Sequence, residues 1–220
     1  MNLTEERLQY LELLSQKFPS PAQVSTEIIN LKAILGLPKG TEHFISDIHG
    51  EYRFFMHILK NASGSVRRKI VQCFTEEDMN NDAVNALATL ICYPKEKLAL
   101  LKEENGRLSV EWYTETLLHL VQVCRKAPSK YTRSKVRKAM PRDFAYIIDE
   151  LLNYSEADED DNRTIYVHNI VRNIIDVGSA DAFIIAISEL IQHAVIDKLH
   201  IVGDVFDRGN GAHEVMDALM

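Results

Sequence analysis

The chain is short of the features that mark secreted, membrane-bound or nucleic-acid-binding proteins. It has three cysteines, Cys73, Cys92 and Cys124, with no C-x-x-C spacing, and all three fall in helix-like sequence. They read as reduced core or half-buried thiols of a cytoplasmic protein rather than as a disulfide framework or a zinc knuckle. No apolar run approaches the length of a bilayer span. The opening Met1-Asn2-Leu3-Thr4-Glu5-Glu6-Arg7 lacks the basic-then-apolar layout of a signal segment. A basic excess is missing too. Against 25 Lys and Arg stand 32 Asp and Glu, a formal charge of −7, which argues against general nucleic-acid binding. No internal repeat is visible. What remains is ordinary globular composition, 46% hydrophobic and 26% charged, in a chain long enough to bury a full core.

Local signals place helices over most of the length. Thr4-Glu5-Glu6 starts one, with Leu8, Leu11, Leu14 and Phe18 at helical spacing until Pro19 and Pro21. A second, over residues 22–35, sets Val24, Ile28, Leu31 and Leu35 on one face and ends at Gly36 and Pro38. These two read as an N-terminal appendage packed on another part of the protein. Then comes a short β-prone run, His43-Phe44-Ile45-Ser46, leading into Asp47-Ile48-His49-Gly50, and a helical stretch from Glu51 to Leu59. Residues 63–180 are helical in pattern throughout, with candidates at Asn81–Cys92 (stopped near Pro94), Lys95–Leu101, Glu111–Cys124, a helix capped by Asp143 and running to Leu152, and Ile165–Ile175. A last helix, Ala182–Ala194, leads into a second β-prone run, Leu199-His200-Ile201-Val202, followed by Gly203-Asp204-Val205-Phe206-Asp207-Arg208-Gly209. An amphipathic helix begins near Gly211.

The two β-prone runs invite comparison, since each has a histidine, three strand-like residues and then an aspartate. Strand period two puts His43, Ile45 and Asp47 on one face, and likewise His200, Val202 and Asp204. They are expected to be parallel strands that deliver carboxylates to one edge of a sheet, where open α/β sheets carry their chemistry. A crossover needs a dozen or so residues, so the helical stretch between them reads as an insertion. The expected organisation is an N-terminal helical segment (1–40), a first strand-loop-helix (41–62), the insertion (63–180), and a second helix-strand-loop-helix (181–220).

Charge runs inside the insertion carry less. Between Arg125 and Arg142 there are eight Lys or Arg residues and no acid, followed by Glu156, Asp158, Glu159, Asp160 and Asp161. The simplest reading is a solvated surface and a mobile loop, with phosphate binding by the basic run as the alternative. The acidic run has no turn glycine or ordered ligand spacing for calcium. His43 and His200 lie a strand-length before the aspartates and read as structural. His57, His119, His168 and His193 fall in helical patterns, and His213 has no motif around it.

Asp-x-His alone is a weak signal, whereas Gly-Asp-x-x-Asp-Arg-Gly is restrictive, and the two together at strand ends point to metal chemistry. Carboxylate and imidazole donors suit Mn, Fe or Zn, and a carboxylate can bridge two ions. Two ions roughly 3.5–4 Å apart lower the pKa of a shared water and clamp a phosphoryl oxygen. Arginine adds bidentate recognition of phosphate, and the glycines are expected to let the backbone approach the ions.

Ser46-Asp47-Ile48-His49-Gly50-Glu51 and Gly203-Asp204-Val205-Phe206-Asp207-Arg208-Gly209 resemble the first two signature blocks of the calcineurin-like metallophosphoesterases. The long helical insert, and the N-terminal helices leading into Thr41-Glu42-His43-Phe44-Ile45-Ser46-Asp47-Ile48-His49-Gly50-Glu51-Tyr52, are similar to the class III fructose-1,6-bisphosphatases of bacteria. The resemblance implies an α/β fold: part of a metallophosphoesterase-type sandwich with few parallel strands, a large helical insertion and N-terminal helices. It implies that Asp47 and His49 bind a first metal, that Asp204 bridges two, that Asp207 orients an imidazole, and that Arg208 faces the phosphate. The implied cofactor is a divalent metal, Mn first, with Fe, Zn or Mg as alternatives. The implied reaction is attack of metal-activated water on the 1-phosphate of fructose 1,6-bisphosphate, with inversion. The family's next block, Gly-Asn-His and an acid, does not follow, so the chain is expected to be an N-terminal fragment that is inactive by itself. The other readings are a different metallophosphoesterase, acting on phosphoproteins or dinucleoside polyphosphates, and a non-catalytic helical interaction module. No nucleic-acid or membrane partner is expected, and the unfinished sheet leaves homo-oligomerisation open.

Overall fold

The computed structural model describes residues 4–153 and 161–220; the acidic run lies outside the described residues except for Asp161, the first residue of α10. The chain divides into two compact units, one ending at Lys39 and the other spanning Gly40–Met220. The first contains α1 (Glu5–Lys17) and α2 (Pro21–Leu35). Glu5 and Glu6 in the first turn of α1 and Lys17 in its last complement the helix dipole. Ser20 caps α2 by accepting from the Gln23 amide at 3.3 Å, with Pro21 at the first helical position.

The second unit runs β1 (Glu42–Ser46), α3 (Tyr52–Asn61), α4 (Ser65–Val71), α5 (Asn81–Cys92), α6 (Pro94–Asn105), α7 (Val110–Lys126), α8 (Arg133–Ala139), α9 (Ala145–Leu152), α10 (Asp161–Asp176), α11 (Ala180–Val195), β2 (Lys198–Val202) and α12 (Ala212–Leu219). It is mostly helical, with a small parallel sheet, which is α/β in the coarse sense. Side-chain oxygens of Asn80, Ser109 and Thr132 accept from the amides of Ala83, Trp112 and Lys135, opening α5, α7 and α8. Pro94 both ends α5 and starts α6, where its missing N–H costs nothing. Helix α8 lies within the basic run, and its Arg133 and Arg137 both reach Asp149 on α9 at 3.5 Å.

Two cores result. The larger is built from helices and the turns between them, centred on α11, where Phe183, Ile184, Ile187 and Ile191 are fully buried against Leu117, Leu120 and Cys124 of α7 and Ile91 of α5. Burial pushes the Cys92 and Cys124 thiols up to about 11 and about 12. Cys73 is half-buried, as expected, but lies in the turn after α4 rather than within a helix. The smaller core is formed by Ile45, Ile48, Phe55 and Val215 and underlies the strand ends.

β1 and β2 pair in parallel, Glu42 opposite Lys198 through Ser46 opposite Val202. The expected parallel pair is present, but its register is offset from the histidine-to-aspartate analogy. Phe44, not His43, sits opposite His200, and their rings stack at 4.5 Å on the exposed face. His43 faces the interior, 7% exposed, and is held below its ordinary pKa by burial and then by Arg68 and Lys130. Asp47 does not share that buried face. Its backbone turns left-handed at φ 53°, which ends the period of two and leaves the side chain exposed.

The strand entrances are fastened by Asp197. Its carboxylate accepts from the Thr41 amide at 2.6 Å, from the Lys130 ammonium and from the Tyr131 hydroxyl. Lys130 also donates to Thr41 Oγ1 at 2.9 Å, and Thr41 O accepts from the Asp197 amide at 3.0 Å. A side chain at Gly40 would collide with Asp197 at 2.8 Å. Burial raises the Asp197 pKa, yet the hydrogen bonds from Lys130, Tyr131 and Thr41 outweigh it, and the net shift is downward. Asp197→Ala strips the Lys130 ammonium, 8% exposed, of its counter-charge and is expected to lower stability by about 3–5 kcal/mol in urea denaturation. A carboxylate with a depressed folded pKa lends stability above its unfolded value of about 3.9 and loses it as pH falls through the folded value. The gap between wild type and variant should therefore close in acid; a gap that persists there would contradict the ion pair.

Candidate metal centre

Both motif loops leave the same end of the sheet, and the backbone locks them together. Beyond the last strand pair the Asp47 amide donates to Val202 O at 3.1 Å, the His49 amide to Asp204 O at 3.1 Å and the Gly50 amide to Val205 O at 2.7 Å. The bonding then reverses: the Gly209 amide donates to His49 O at 2.5 Å and the Gly211 amide to Gly50 O at 3.1 Å. Between Asp47 and His49, Ile48 is 1% exposed and enters the small core. One apolar anchor thus turns the two polar side chains outward. Both flanking residues have positive φ, 53° and 52°, a costly conformation for non-glycine residues that is characteristic of functional loops.

The register explains the glycines. Continuing the pairing places Asp47 opposite Gly203, where a Cβ would come within 2.3 Å of Asp47 Oδ1. Gly203, at φ 82°, is the vacancy into which that carboxylate folds, and Asp47 Oδ1 accepts from the Asp204 amide at 3.4 Å. A Cβ at Gly209 would strike His49 O and Gly50 within 2.7 Å, and one at Gly50 would meet Gly209 O at 2.9 Å. These glycines therefore let one loop approach the other, a requirement met before any ion is considered.

Three of the expected site residues converge. Donor atoms of His49, Asp204 and Asp207 lie within 4.8 Å of one another. His49 Nδ1 donates to Asp207 Oδ1 at 2.6 Å, and this hydrogen bond is the main reason the Asp207 carboxyl is held below its ordinary pKa. The bond fixes the imidazole with Nε2 outward, as carboxylate-oriented metal ligands are held. Arg208 is exposed, its Nε 3.4 Å from Asp207 Oδ2. Asp47, expected to be a ligand, is not one of these converging donors; its carboxylate lies over Gly203. His213 is exposed on α12 and is not one of the converging donors. A set of one imidazole and two carboxylates fits a divalent ion of the Mn, Fe or Zn type. The His49–Asp207 contact, spanning 158 positions, was not anticipated: both residues carry a motif, but nothing in either motif names the other as partner.

Comparisons with known proteins bear on the chain as a whole. A family described as Firmicute fructose-1,6-bisphosphatase matches residues 9–220. Among curated proteins, the class 3 fructose-1,6-bisphosphatase of Clostridium tetani is 56% identical over 220 residues, covering 100% of this chain and 33% of that protein. The proteins of the same name from Porphyromonas gingivalis (ATCC 33277) and Alkaliphilus metalliredigens are 57% identical over 213 residues and 56% over 215, each covering 97% of this chain and about a third of the relative. The chain thus spans about a third of the length of the relatives it matches. No solved structure matches it. With the match running from residue 9 to residue 220 and including both motif loops, the chain belongs to the Firmicute fructose-1,6-bisphosphatase family.

Proposed function

We propose that this chain is the N-terminal, metal-holding part of a cytoplasmic phosphatase that hydrolyses the 1-phosphate of fructose 1,6-bisphosphate. The observation that carries the reading is the convergence of His49, Asp204 and Asp207 at the ends of two parallel strands, in a chain of this family. Asp47 and His49 would hold one divalent ion and Asp204 would bridge to a second, with Mn the preferred metal. Bound there, the metal supplies Lewis-acid activation of water and neutralises phosphate charge. Asp207 fixes the His49 ring through Nδ1, and the exposed Arg208 would receive the phosphate. In the longer protein the two strands would join a metallophosphoesterase-type sandwich whose remaining residues complete the site. The 220-residue chain alone binds metal weakly and has negligible turnover. Its open sheet edges favour self-association until they are covered.

Binding of Mn to the chain is read directly by loss of the free-ion electron paramagnetic resonance signal. Asp207→Asn should weaken it by about 10–100-fold, the usual effect of losing a carboxylate that orients a ligand, and Asp204→Asn by more. Gly203→Ala should also abolish it, because the new methyl occupies the place of the Asp47 carboxylate. Wild-type affinity in Asp204→Asn would remove that residue from the metal site. In a full-length protein carrying this chain, Mn-dependent hydrolysis should favour fructose 1,6-bisphosphate over a phosphopeptide or a dinucleoside polyphosphate; preference for either of the latter overturns the substrate assignment.

A further inference from the structure

A cleft of about 240 Å³ opens between α5, α6 and α7, and none of the cradle residues lines it. Its floor is apolar, formed by the buried Met79, Leu87 and Leu90 and by Leu101. Trp112, the single tryptophan of the chain, lines it too. The volume falls below the range that takes drug-sized ligands, so it suits a molecule with few non-hydrogen atoms.

Polar groups line this cleft without partners of their own. Thr116 is only 8% exposed, yet among the described residues its hydroxyl has no hydrogen-bond partner. Thr26, Thr89 and Thr114 show the ordinary solution in a helix: each hydroxyl donates to the carbonyl one turn back, those of Ala22 at 2.9 Å, Asn85 at 2.8 Å and Val110 at 2.8 Å. A hydroxyl buried as deeply as that of Thr116 is costly to leave unbonded, and the cleft is the space left to supply its partner. Lys97, half-buried, and Glu115, exposed, line the same cleft with opposite charges. They form no ion pair with each other, and among the described residues neither has an ion-pair or hydrogen-bond partner elsewhere. The other acid of the wall, Asp78, accepts from the Thr75 amide at 3.0 Å and its hydroxyl at 2.7 Å. It remains an anion, so the wall carries carboxylates as well as an ammonium group. His119 adds no charge near neutral pH, because burial holds it below its ordinary pKa against the opposing pull of Glu115. A purely anionic ligand would meet the carboxylates, a purely cationic one would meet Lys97, and an apolar one would leave Thr116 unbonded.

We propose that this cleft binds a free α-amino acid with an apolar side chain, its carboxylate held by Lys97 and Thr116, its ammonium group by Glu115, and its side chain lying on Leu87, Leu90 and Trp112. Such a zwitterion gives each unpaired charge of the wall a charge-assisted hydrogen bond and gives the Thr116 hydroxyl an acceptor. The cleft belongs to the helical insertion, whereas the metal cradle is at the strand ends, so the site stands independently of the metal reading.

Trp112 is a reporter inside the cleft, with no second tryptophan to obscure it. The test is a titration of the metal-free chain with L-leucine, followed by tryptophan fluorescence, beside isocaproate and isoamylamine, the leucine analogues that lack the amine and the carboxylate. Leucine should give a saturable change, and each analogue should bind about tenfold more weakly, the factor that one charged hydrogen bond supplies. Lys97→Gln should weaken leucine by a similar factor and leave isoamylamine binding no weaker than in wild type. Glu115→Gln should weaken leucine and leave isocaproate no weaker. The retained analogue in each variant separates a lost contact from a lost fold. Thr116→Val, which keeps the shape of the side chain, should weaken leucine and isocaproate alike. A response to leucine that does not saturate would overturn the proposal. So would an analogue that binds as tightly as leucine, or leucine affinity that is unchanged in either charge variant.

Discussion

The pairing of Glu42–Ser46 with Lys198–Val202 is the constraint on which the cradle depends. Only with Ser46 opposite Val202 does Asp47 meet Gly203, the one position nearby with room for its carboxylate. A slip of one residue would face Asp47 with the Val202 side chain or with Asp204, a clash in one direction and two like charges in the other. Register in a short strand is weakly specified by the strand itself. Here it is pinned at both ends, by Thr41 and Asp197 at the entrance and by the Gly50–Gly209–Gly211 clasp at the exit.

A two-stranded sheet is marginal by itself, and the helical body supplies what it lacks. α11 is buried along most of its length and ends at Val195, two residues before Asp197 and three before β2. The second strand is thus delivered by the most deeply packed helix of the chain. From the other side, Lys130 ties the turn after α7 to the same aspartate. The small core of Ile45, Ile48, Phe55 and Val215 then has a narrower task. It holds the floor of the cradle still enough for Asp47 and His49 to keep left-handed backbone conformations.

Much of this was legible in the residues. α1, α2 and α5 follow from apolar spacing and the prolines that bound them, although Thr4, read as the cap of α1, makes no side-chain cap hydrogen bond, and the two parallel strands follow from β-prone runs that end in Asp. The donor types were legible for the same reason: Asp-x-His and Gly-Asp-x-x-Asp-Arg-Gly are local patterns. The offset of the strands was not, because a period of two fixes a face and says nothing of the partner across it; aligning His43 with His200 was reasonable and is one position out. Asp197 gave no warning. It is a single acid between Ile196 and Lys198, and its partners Thr41, Lys130 and Tyr131 come from distant segments. Lys130 looked like one more solvated cation in a basic run, and only tertiary contact distinguishes it. The acidic run over 156–160 falls outside the described residues.

The distance along the chain between the halves of the cradle also sets an order of events. Asp47 and Asp204 are separated by 157 positions and the strand-entrance clamp by 156. Closing so long a loop through an unfolded chain is entropically costly and slow. The helices between them meet over shorter separations, α4 with α5 and α5 with α6 locally and α11 with α7 and α5 over longer stretches, and can assemble first. During synthesis β1 leaves the ribosome with its aspartate and histidine long before β2 exists to meet them, and it must wait unpaired. The folded helices bring the end of α11 to the entrance of β1, where Asp197 bonds Thr41. What reads along the sequence as an interruption of the metal motif is, in time, the template on which the motif is joined.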